Sequence, residues 1–211
     1  MARLAKGTLH WVLAPLALGA LLLVASALPA APFTALRVLA VLSLLSALFL
    51  ANFFRDPERL LAEGLVSPAD GVVTVVRPLP PGGTEVQIFM NVHNVHVNRA
   101  PCDARVLRRE HRLGAHVPAW HKDSARNERV TWDLETPHGP VRVVQVAGLL
   151  ARRIVPYAEE GQRLAKGERI GIIRLGSRVD VHLPPGVAPR VAVGDRVLAG
   201  STTLGDLRKT L

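Results

Sequence analysis

The first 54 residues of this 211-residue chain most constrain its fold, because they contain no Asp or Glu and only three Lys or Arg. Two apolar runs fill this segment, at residues 8–28 and 38–54. A helix needs about 20 apolar residues to cross a bilayer, so the first run is long enough and the second lies at the short end of the range. We therefore predict that residues 1–54 form a membrane-anchoring hydrophobic helical hairpin.

A secretory signal peptide is the main alternative for the first run, and residues 25–31 resemble a cleavage region. The run is longer than the usual apolar core of a signal peptide and a second run follows directly, which favours the hairpin. Arg3 and Lys6 precede the first run, and Arg55 and Arg59 follow the second within RDPER (55–59). The positive-inside rule then predicts that both ends of the hairpin, and the rest of the chain, lie on the cytoplasmic face of the cell membrane.

Charge and cysteine content narrow the possible partners of residues 55–211. Subtracting the three basic residues of the hairpin from the net charge of +9 leaves +6 for this part. Its basic residues are scattered and aromatic residues are few, which favours attraction to anionic lipid over nucleic acid. Cys102 is the single cysteine, so no intrachain disulfide can form, and a lone cysteine is typically a small buried hydrophobe.

Short runs that alternate apolar and polar residues dominate residues 55–211. Turn residues separate neighbouring runs, as at 80–83 and 137–139. No long amphipathic helix is predicted, although residues 149–160 have room for one or two helical turns. We predict a mainly β fold, a compact β-sheet or barrel-sandwich-like domain with few short helices.

Gly176 and Ser177 interrupt one of these strand patterns, which runs from residue 171 to residue 183. Its residues 179, 181 and 183 are apolar, and the intervening positions 178, 180 and 182 form a polar, outward face. Glycine within a strand usually marks a bulge or a bend. The alternative is nucleophilic chemistry within the chain, because a serine hydroxyl can attack the preceding carbonyl and a glycine leaves that approach open. Such an attack needs a base.

Asp70 and two histidines are the candidates to supply or support that base. Asp70 lies in SPADG (67–71), where Asp-Gly alone indicates a turn. His93 and His96 are three residues apart beside strand-like sequence, so they straddle a turn or face opposite ways. A zinc site is the alternative, but the chain lacks the tight paired-ligand spacing of zinc modules and no metal is predicted. Its further ligands would come from His111, His116, His121 or Cys102.

Taken together, these features resemble the phosphatidylserine decarboxylase family in its short, single-domain prokaryotic form. The hydrophobic hairpin before them fits that form too. The resemblance is carried, in the family's order, by FFRDPER (53–59), SPADG (67–71), NVHNVHVNRAP (91–101), GLLARRIV (148–155) and KGERIGIIRLGSRVDVHLP (166–184).

The resemblance implies a proenzyme that cuts itself between Gly176 and Ser177. The products are chains 1–176 and 177–211, expected to stay together as a heterodimer, and Ser177 becomes a covalent pyruvoyl group. That group forms a Schiff base with the substrate amine and accepts the electron pair left by carbon dioxide, so neither pyridoxal phosphate nor a metal is expected. The implied reaction converts phosphatidylserine in the membrane to phosphatidylethanolamine.

The resemblance also assigns roles to the candidate residues. Asp70 orients and charges His96, and His96 removes the hydroxyl proton of Ser177. His93 binds the substrate carboxylate or protonates the carbanion after decarboxylation, although the two histidines' roles are open to exchange. Six arginines have two possible roles: they contact headgroup phosphates, or they form a solvated strand face. They are Arg55, Arg59, Arg105, Arg108, Arg109 and Arg112.

Two alternatives stay open. The first keeps the chemistry and changes the lipid, for example to archaetidylserine. The second is a membrane-anchored barrel-sandwich adaptor without catalysis, which predicts an uncut chain and leaves the order of the motifs as coincidence.

Overall fold

A computed structural model of the chain describes residues 3–28, 32–114, 126–148, 153–174 and 177–206. It divides into two compact units, Met1–Glu58 and Arg59–Leu211. The first unit contains the helices and the second is built from strands, so the prediction of a mainly β fold after a helical segment is confirmed.

Two apolar helices form most of the first unit, α1 at Leu9–Ala25 and α2 at Phe33–Phe53. They pack closely where Gly19 faces Leu44, because a Cβ at Gly19 would lie 2.8 Å from the Leu44 side chain. Ser43 adds a hydrogen bond of 2.7 Å from its Oγ to the Pro15 carbonyl. Beside the helices, β1 (Arg3–Leu4) pairs antiparallel with β2 (Arg55–Asp56).

The helix bounds differ from the sequence prediction. The second helix has 21 residues and, within the part of the chain that the structure describes, is the one helix long and apolar enough to cross a membrane, whereas the first has 17 residues. The apolar run 38–54 begins after Arg37, but the helix begins at Phe33, directly after Pro32. A proline suits a helix start because it has no N–H to leave unsatisfied, and one arginine near that end does not stop the helix.

Antiparallel strands build the second unit. They are β3 (Leu65–Val66), β4 (Gly71–Leu79), β5 (Gly83–Met90), β6 (Val97–Arg99), β7 (Ala104–Arg112), β8 (Arg129–Thr136), β9 (Gly139–Ala147), β10 (Arg153–Pro156), β11 (Arg163–Leu164), β12 (Arg169–Arg174), β13 (Ser177–Leu183), β14 (Ala188–Pro189), β15 (Arg196–Val197) and β16 (Thr203–Asp206).

The main sheet has eight strands in the order β11-β7-β8-β9-β13-β5-β4-β15 and curls into a half barrel. Two three-stranded sheets, β10-β12-β6 and β14-β16-β3, accompany it. The helical turns expected within 149–160 are not found at Arg153–Pro156, which is strand β10 paired with β12; residues 149–152 lie outside the described residues. Pairing with a neighbouring strand overrides the local helical pattern there.

Strand β13 is central, because it is hydrogen-bonded to β5 on one side and to β9 on the other. Its predicted apolar face is confirmed, since Val179, Val181 and Leu183 are buried in the core. The predicted polar face is only partly solvated. Asp180 is 7% exposed because the Arg178 guanidinium lies against it, with bonds of 2.7 and 3.0 Å to the two carboxylate oxygens.

Candidate active site

Ser177 is the first residue of β13 and is completely buried. Its side chain lies on the core face, and its hydroxyl donates a hydrogen bond to the Met90 Sδ at 3.3 Å. Its register partners are Met90 on β5 and Ala147 on β9. Gly176, the other half of the predicted cleavage site, lies outside the described residues. The hydroxyl therefore sits in a dry, tightly packed part of the sheet.

His96 is also completely buried and directly precedes β6. Its Nδ1 lies 2.9 Å from the Asn94 carbonyl. A carbonyl only accepts hydrogen bonds, so we assign the ring proton to Nδ1, which leaves the lone pair on Nε2. This is the tautomer that a general base needs. The His96 carbonyl accepts the Ile173 N–H at 3.2 Å and so ties this segment to β12, four residues before Ser177.

His93 lies in the turn before His96 and is exposed. Asn91 and Asn94 close this turn, with a backbone bond of 2.9 Å and a second bond of 2.8 Å to the Asn94 side chain. Of the two arrangements expected for this pair, the structure shows the one in which the histidines face opposite ways, because His93 is exposed within the turn and His96 is buried after it. Their different burial separates them chemically, since only His96 is enclosed with the core residues.

Asp70 is 3% exposed, and both of its carboxylate oxygens accept hydrogen bonds. Oδ2 accepts from Arg59 Nη2 at 2.7 Å, and Oδ1 accepts from the Ala199 N–H at 2.8 Å. Gly71 follows in a position that only glycine fits, because a Cβ there would lie 2.2 Å from the Phe89 carbonyl oxygen. The sequence suggested Arg59 as a possible phosphate contact, whereas in the structure its guanidinium forms an ion pair with Asp70.

Three separate segments approach one end of the main sheet. Gly71 packs on Phe89, the residue before Met90. The amide of Asn98, two residues after His96, lies 3.6 Å from the Met90 sulfur that accepts the Ser177 hydroxyl. The loop of Asp70, the turn of His96 and the start of β13 are thus neighbours in the fold. The catalytic roles of these residues, and that of His93, stay predictions.

Sequence reasoning missed a set of buried polar side chains behind Ser177. Asn98, Gln145 and Trp132 are completely buried and hydrogen-bonded to one another. Asn98 lies in the fully buried strand VNR, and Gln145 lies between Val143 and Ala147 on the core face of β9. A polar residue at a core position of a strand is the signal that would have found them, because burying it costs free energy unless it is paired.

Charged groups occupy the opposite face of β13 and β5. Burial raises the pKa of the Asp180 carboxyl despite its contact with Arg178. Burial acts in the same direction on Glu85, but hydrogen bonds from Gln87 and Arg77 outweigh it and hold the pKa of Glu85 below its usual value. The half-buried His182, predicted to be an outward strand residue, has its pKa lowered by burial.

Arg174, three residues before Ser177, lies directly opposite Arg153 in the β10–β12 pair. Like charges at opposed positions of a sheet are destabilising. Burial, reinforced by Arg153, lowers the pKa of the Arg174 guanidinium. An anion between these two strands would relieve that repulsion.

The described residues include no group of three or more His, Cys, Asp or Glu that could hold a metal ion. His116 and His121, which the zinc alternative needed, lie outside those residues. Cys102 is buried, and burial raises the pKa of its thiol to about 11, which agrees with its interpretation as a small core residue.

An antiparallel β unit with a buried Ser177 at the head of a central strand, and with His96 and Asp70 at the same end, has the residue types of a Ser–His–Asp enzyme. The family model described as phosphatidylserine decarboxylase matches residues 46–205. The chain belongs to the phosphatidylserine decarboxylase family, and the resemblance read from its motifs is confirmed.

Individual relatives extend the match over nearly the whole chain. It is 49% identical over 203 residues to a protein of Thermobifida fusca named "Phosphatidylserine decarboxylase proenzyme", covering 96% of this chain and 92% of the relative. A Streptomyces avermitilis protein of the same name is 46% identical, covering 96% and 93%. A Methanococcoides burtonii protein named "Putative archaetidylserine decarboxylase proenzyme" is 43% identical and covers 95% of each chain. The family is thus one of decarboxylase proenzymes of phospholipid biosynthesis.

Proposed function

We propose that this chain is a proenzyme that cuts itself between Gly176 and Ser177 and then decarboxylates phosphatidylserine to phosphatidylethanolamine. The observation that carries the proposal is the enclosure of the Ser177 hydroxyl in the core, in the same part of the fold as the buried His96, whose Nδ1 lies 2.9 Å from the Asn94 carbonyl. The word proenzyme in the names of the relatives agrees with maturation by cleavage.

Self-cleavage begins when the Ser177 hydroxyl transfers its proton to Nε2 of His96. Oγ bonds to the Gly176 carbonyl carbon, the peptide C–N bond breaks, and the freed amine takes a proton, which leaves an ester. Loss of the Ser177 Cα proton then breaks the Cβ–Oγ bond, and Gly176 departs as a carboxylate. The remaining unsaturated residue takes up water and loses ammonia, which gives a pyruvoyl group at position 177.

The surroundings of Ser177 fit that group. The position is fully buried, and the side chains of its register partners, Met90 and Ala147, carry no charge. A pyruvoyl carbonyl there would bind the amine of the substrate and accept the electron pair that carbon dioxide leaves behind. We assign His93, exposed in the turn before His96, to the substrate carboxylate or to protonation of the carbanion. We assign Asp70 to stabilising the protonated His96 ring through its charge, because the Asn94 carbonyl already orients the ring at Nδ1.

The substrate is a serine phospholipid. Helix α2 is apolar and long enough to cross a membrane, and a membrane-confined substrate gives an enzyme a reason for such an anchor. We place the second unit on the cytoplasmic face, following the positive residues that flank the helices. Arg153 and Arg174 are suited to the headgroup phosphate. Archaetidylserine is the second candidate, because the relative named for it is 43% identical to this chain.

The intact mass of the protein under denaturing conditions tests the cleavage. We expect two chains, and the 177–211 chain should be lighter by one ammonia than the same peptide starting with serine. Ser177→Ala provides the matched control and should stay a single chain. An uncut wild-type chain after long incubation would contradict the proposal and favour the adaptor alternative. Incubating the cut protein with vesicles of each lipid then identifies the substrate.

A further inference from the structure

A line of buried polar side chains runs from β8 across the core to Ser177. Trp132 Nε1 donates to Gln145 Oε1 at 2.8 Å, and Gln145 Nε2 donates to Asn98 Oδ1 at 2.8 Å. Asn98 Nδ2 then donates to Met90 Sδ at 3.6 Å, and the same sulfur accepts the Ser177 hydroxyl at 3.3 Å. All five side chains are completely buried.

The direction of these hydrogen bonds follows from their first member. The Trp132 indole N–H can only donate, so the Gln145 oxygen must face it and the Gln145 amide nitrogen must face Asn98. The Asn98 oxygen accepts that bond, which turns its own nitrogen toward Met90. The thioether sulfur has no hydrogen to give, so it receives both the Asn98 amide and the Ser177 hydroxyl. The Ser177 O–H bond therefore points at the Met90 sulfur, and the Asn98 amide, oriented through Gln145 from β8, contacts the same sulfur.

The fold makes special room for this line. Gly171 on β12 faces Gln145, and a Cβ there would lie 3.2 Å from Gln145 Nε2 and 2.9 Å from the Val155 carbonyl oxygen. Apolar side chains of similar volume would fill the same core positions without the cost of burying amides. An arrangement that is both costly and specific, and that ends on the predicted nucleophile, indicates a role in its chemistry.

We propose that Met90, held by Asn98 and Gln145, is the positioning residue for self-cleavage. This role rests on the function proposed above. With its hydrogen directed at the sulfur, Ser177 Oγ is held in one rotamer and its two lone pairs face away from Met90, open to bond formation. Sulfur is a weak acceptor, so it orients the hydroxyl but releases the hydrogen to His96 at little cost. The sulfur itself neither takes the proton nor changes its oxidation state.

Replacing the sulfur atom alone tests this role. The chain has two methionines, Met1 and Met90. Cell-free synthesis of the full chain into lipid nanodiscs, with norleucine supplied for methionine, therefore changes one core atom from sulfur to CH₂. We expect the first-order rate of appearance of the 177–211 chain to fall about five- to tenfold, because the hydroxyl loses the acceptor that fixes its rotamer.

Two further readouts separate positioning from packing. Selenomethionine keeps an acceptor atom at the same place, so it should restore cleavage to within twofold of the methionine rate. The pH at which cleavage is half-maximal should be the same in all three chains, because the base is unchanged. In Met90→Leu the one remaining methionine is Met1. Comparing the cleavage rate of this variant made with methionine and made with norleucine therefore measures any effect of replacing the first residue.

Asn98→Leu tests the second member of the line, and we expect a smaller slowing because the sulfur remains. Alkylation of the buried Cys102 in the same samples reports whether each chain is folded. A norleucine chain that is folded and cleaves within twofold of the methionine chain would overturn the role of Met90. Failure of the methionine chain itself to cleave would instead contradict the proposed function, and the role would fall with it.

Discussion

The ion pair between Asp70 and Arg59 provides the sharpest test of how the site is built. The two side chains are 4% and 14% exposed, and their charged atoms are 2.7 Å apart. Removing one partner of a buried pair leaves the other charge uncompensated, which costs about 3–5 kcal/mol. Asp70→Asn keeps the volume of the side chain and an oxygen for the Ala199 N–H, so we expect the low end of that range, about 3 kcal/mol.

Arg59→Met removes the opposite charge and should cost a similar amount for the same reason. In the double variant neither charge is left unpaired. Its loss of unfolding free energy should therefore be smaller than the sum of the two single losses by about 2 kcal/mol or more. Such non-additivity is the signature of a pair held away from water. It would also show that the Asp70 carboxylate, which we assign to stabilising the protonated His96 ring, depends on Arg59.

The assay uses Cys102 as an internal probe of unfolding. In a Ser177→Ala background the chain stays uncut, and alkylation of the buried thiol in mild detergent measures how often the second unit opens. A loss of about 3 kcal/mol corresponds to labelling about 150-fold faster. Asp206→Asn is the matched control, because Asp206 pairs with Arg190 at 46% and 62% exposure and should lose less than about 1 kcal/mol. Additive costs, or equal effects at Asp70 and Asp206, would refute the reasoning.

Four other predictions follow from the site and its surroundings. Burial lowers the pKa of His182 below its unfolded value of 6.5, so the free energy of unfolding of the second unit should decrease as pH falls through 6.5. His182→Gln should make that decrease smaller, as measured by urea unfolding at pH values between 7 and 5. The thiol of Cys102, with a pKa of about 11, should react with iodoacetamide at pH 8 more than 100-fold more slowly in the native protein than in urea, and equal rates would contradict its burial. After cleavage the 177–211 chain should co-elute with 1–176 in size-exclusion chromatography at micromolar concentration and separate only in denaturant, because β13 lies between β5 and β9. Arg174→Gln should raise KM for the serine phospholipid at least several-fold with little change in the rate of self-cleavage. An unchanged KM would contradict the assignment of Arg174 to the headgroup phosphate.

The sequence predicted those parts of the fold that depend on local pattern. Apolar runs indicated the two helices, and alternation placed Val179, Val181 and Leu183 in the core. The start of an apolar run is a poor guide to the start of a helix, because α2 begins at Phe33, upstream of Arg37 and of the run 38–54. Asp180 was placed on a solvated face because the contact that covers it depends on how Arg178 folds back over the strand.

The candidate site was predictable only where a motif marks it. Asp70, His96 and Ser177 each lie in a short stretch with a recognisable pattern. Met90, Asn98 and Gln145 belong to three strands that meet only when the sheets assemble, so their hydrogen bonds follow from register and not from spacing along the chain. The same holds for Arg59, whose partner lies eleven positions away beyond a turn.

The position of Ser177 at the head of a central strand has a consequence for the timing of maturation. The groups around its hydroxyl come from β5, β6, β8 and β9, and they surround it only once those strands have paired. Under the proposed self-cleavage, a nascent chain therefore carries the Gly176–Ser177 bond but not the surroundings that break it. Completion of the fold would act as a quality check, so that only correctly assembled molecules acquire a reactive group. Because β13 is bonded on both sides, the cut would also expose no new sheet edge for aggregation.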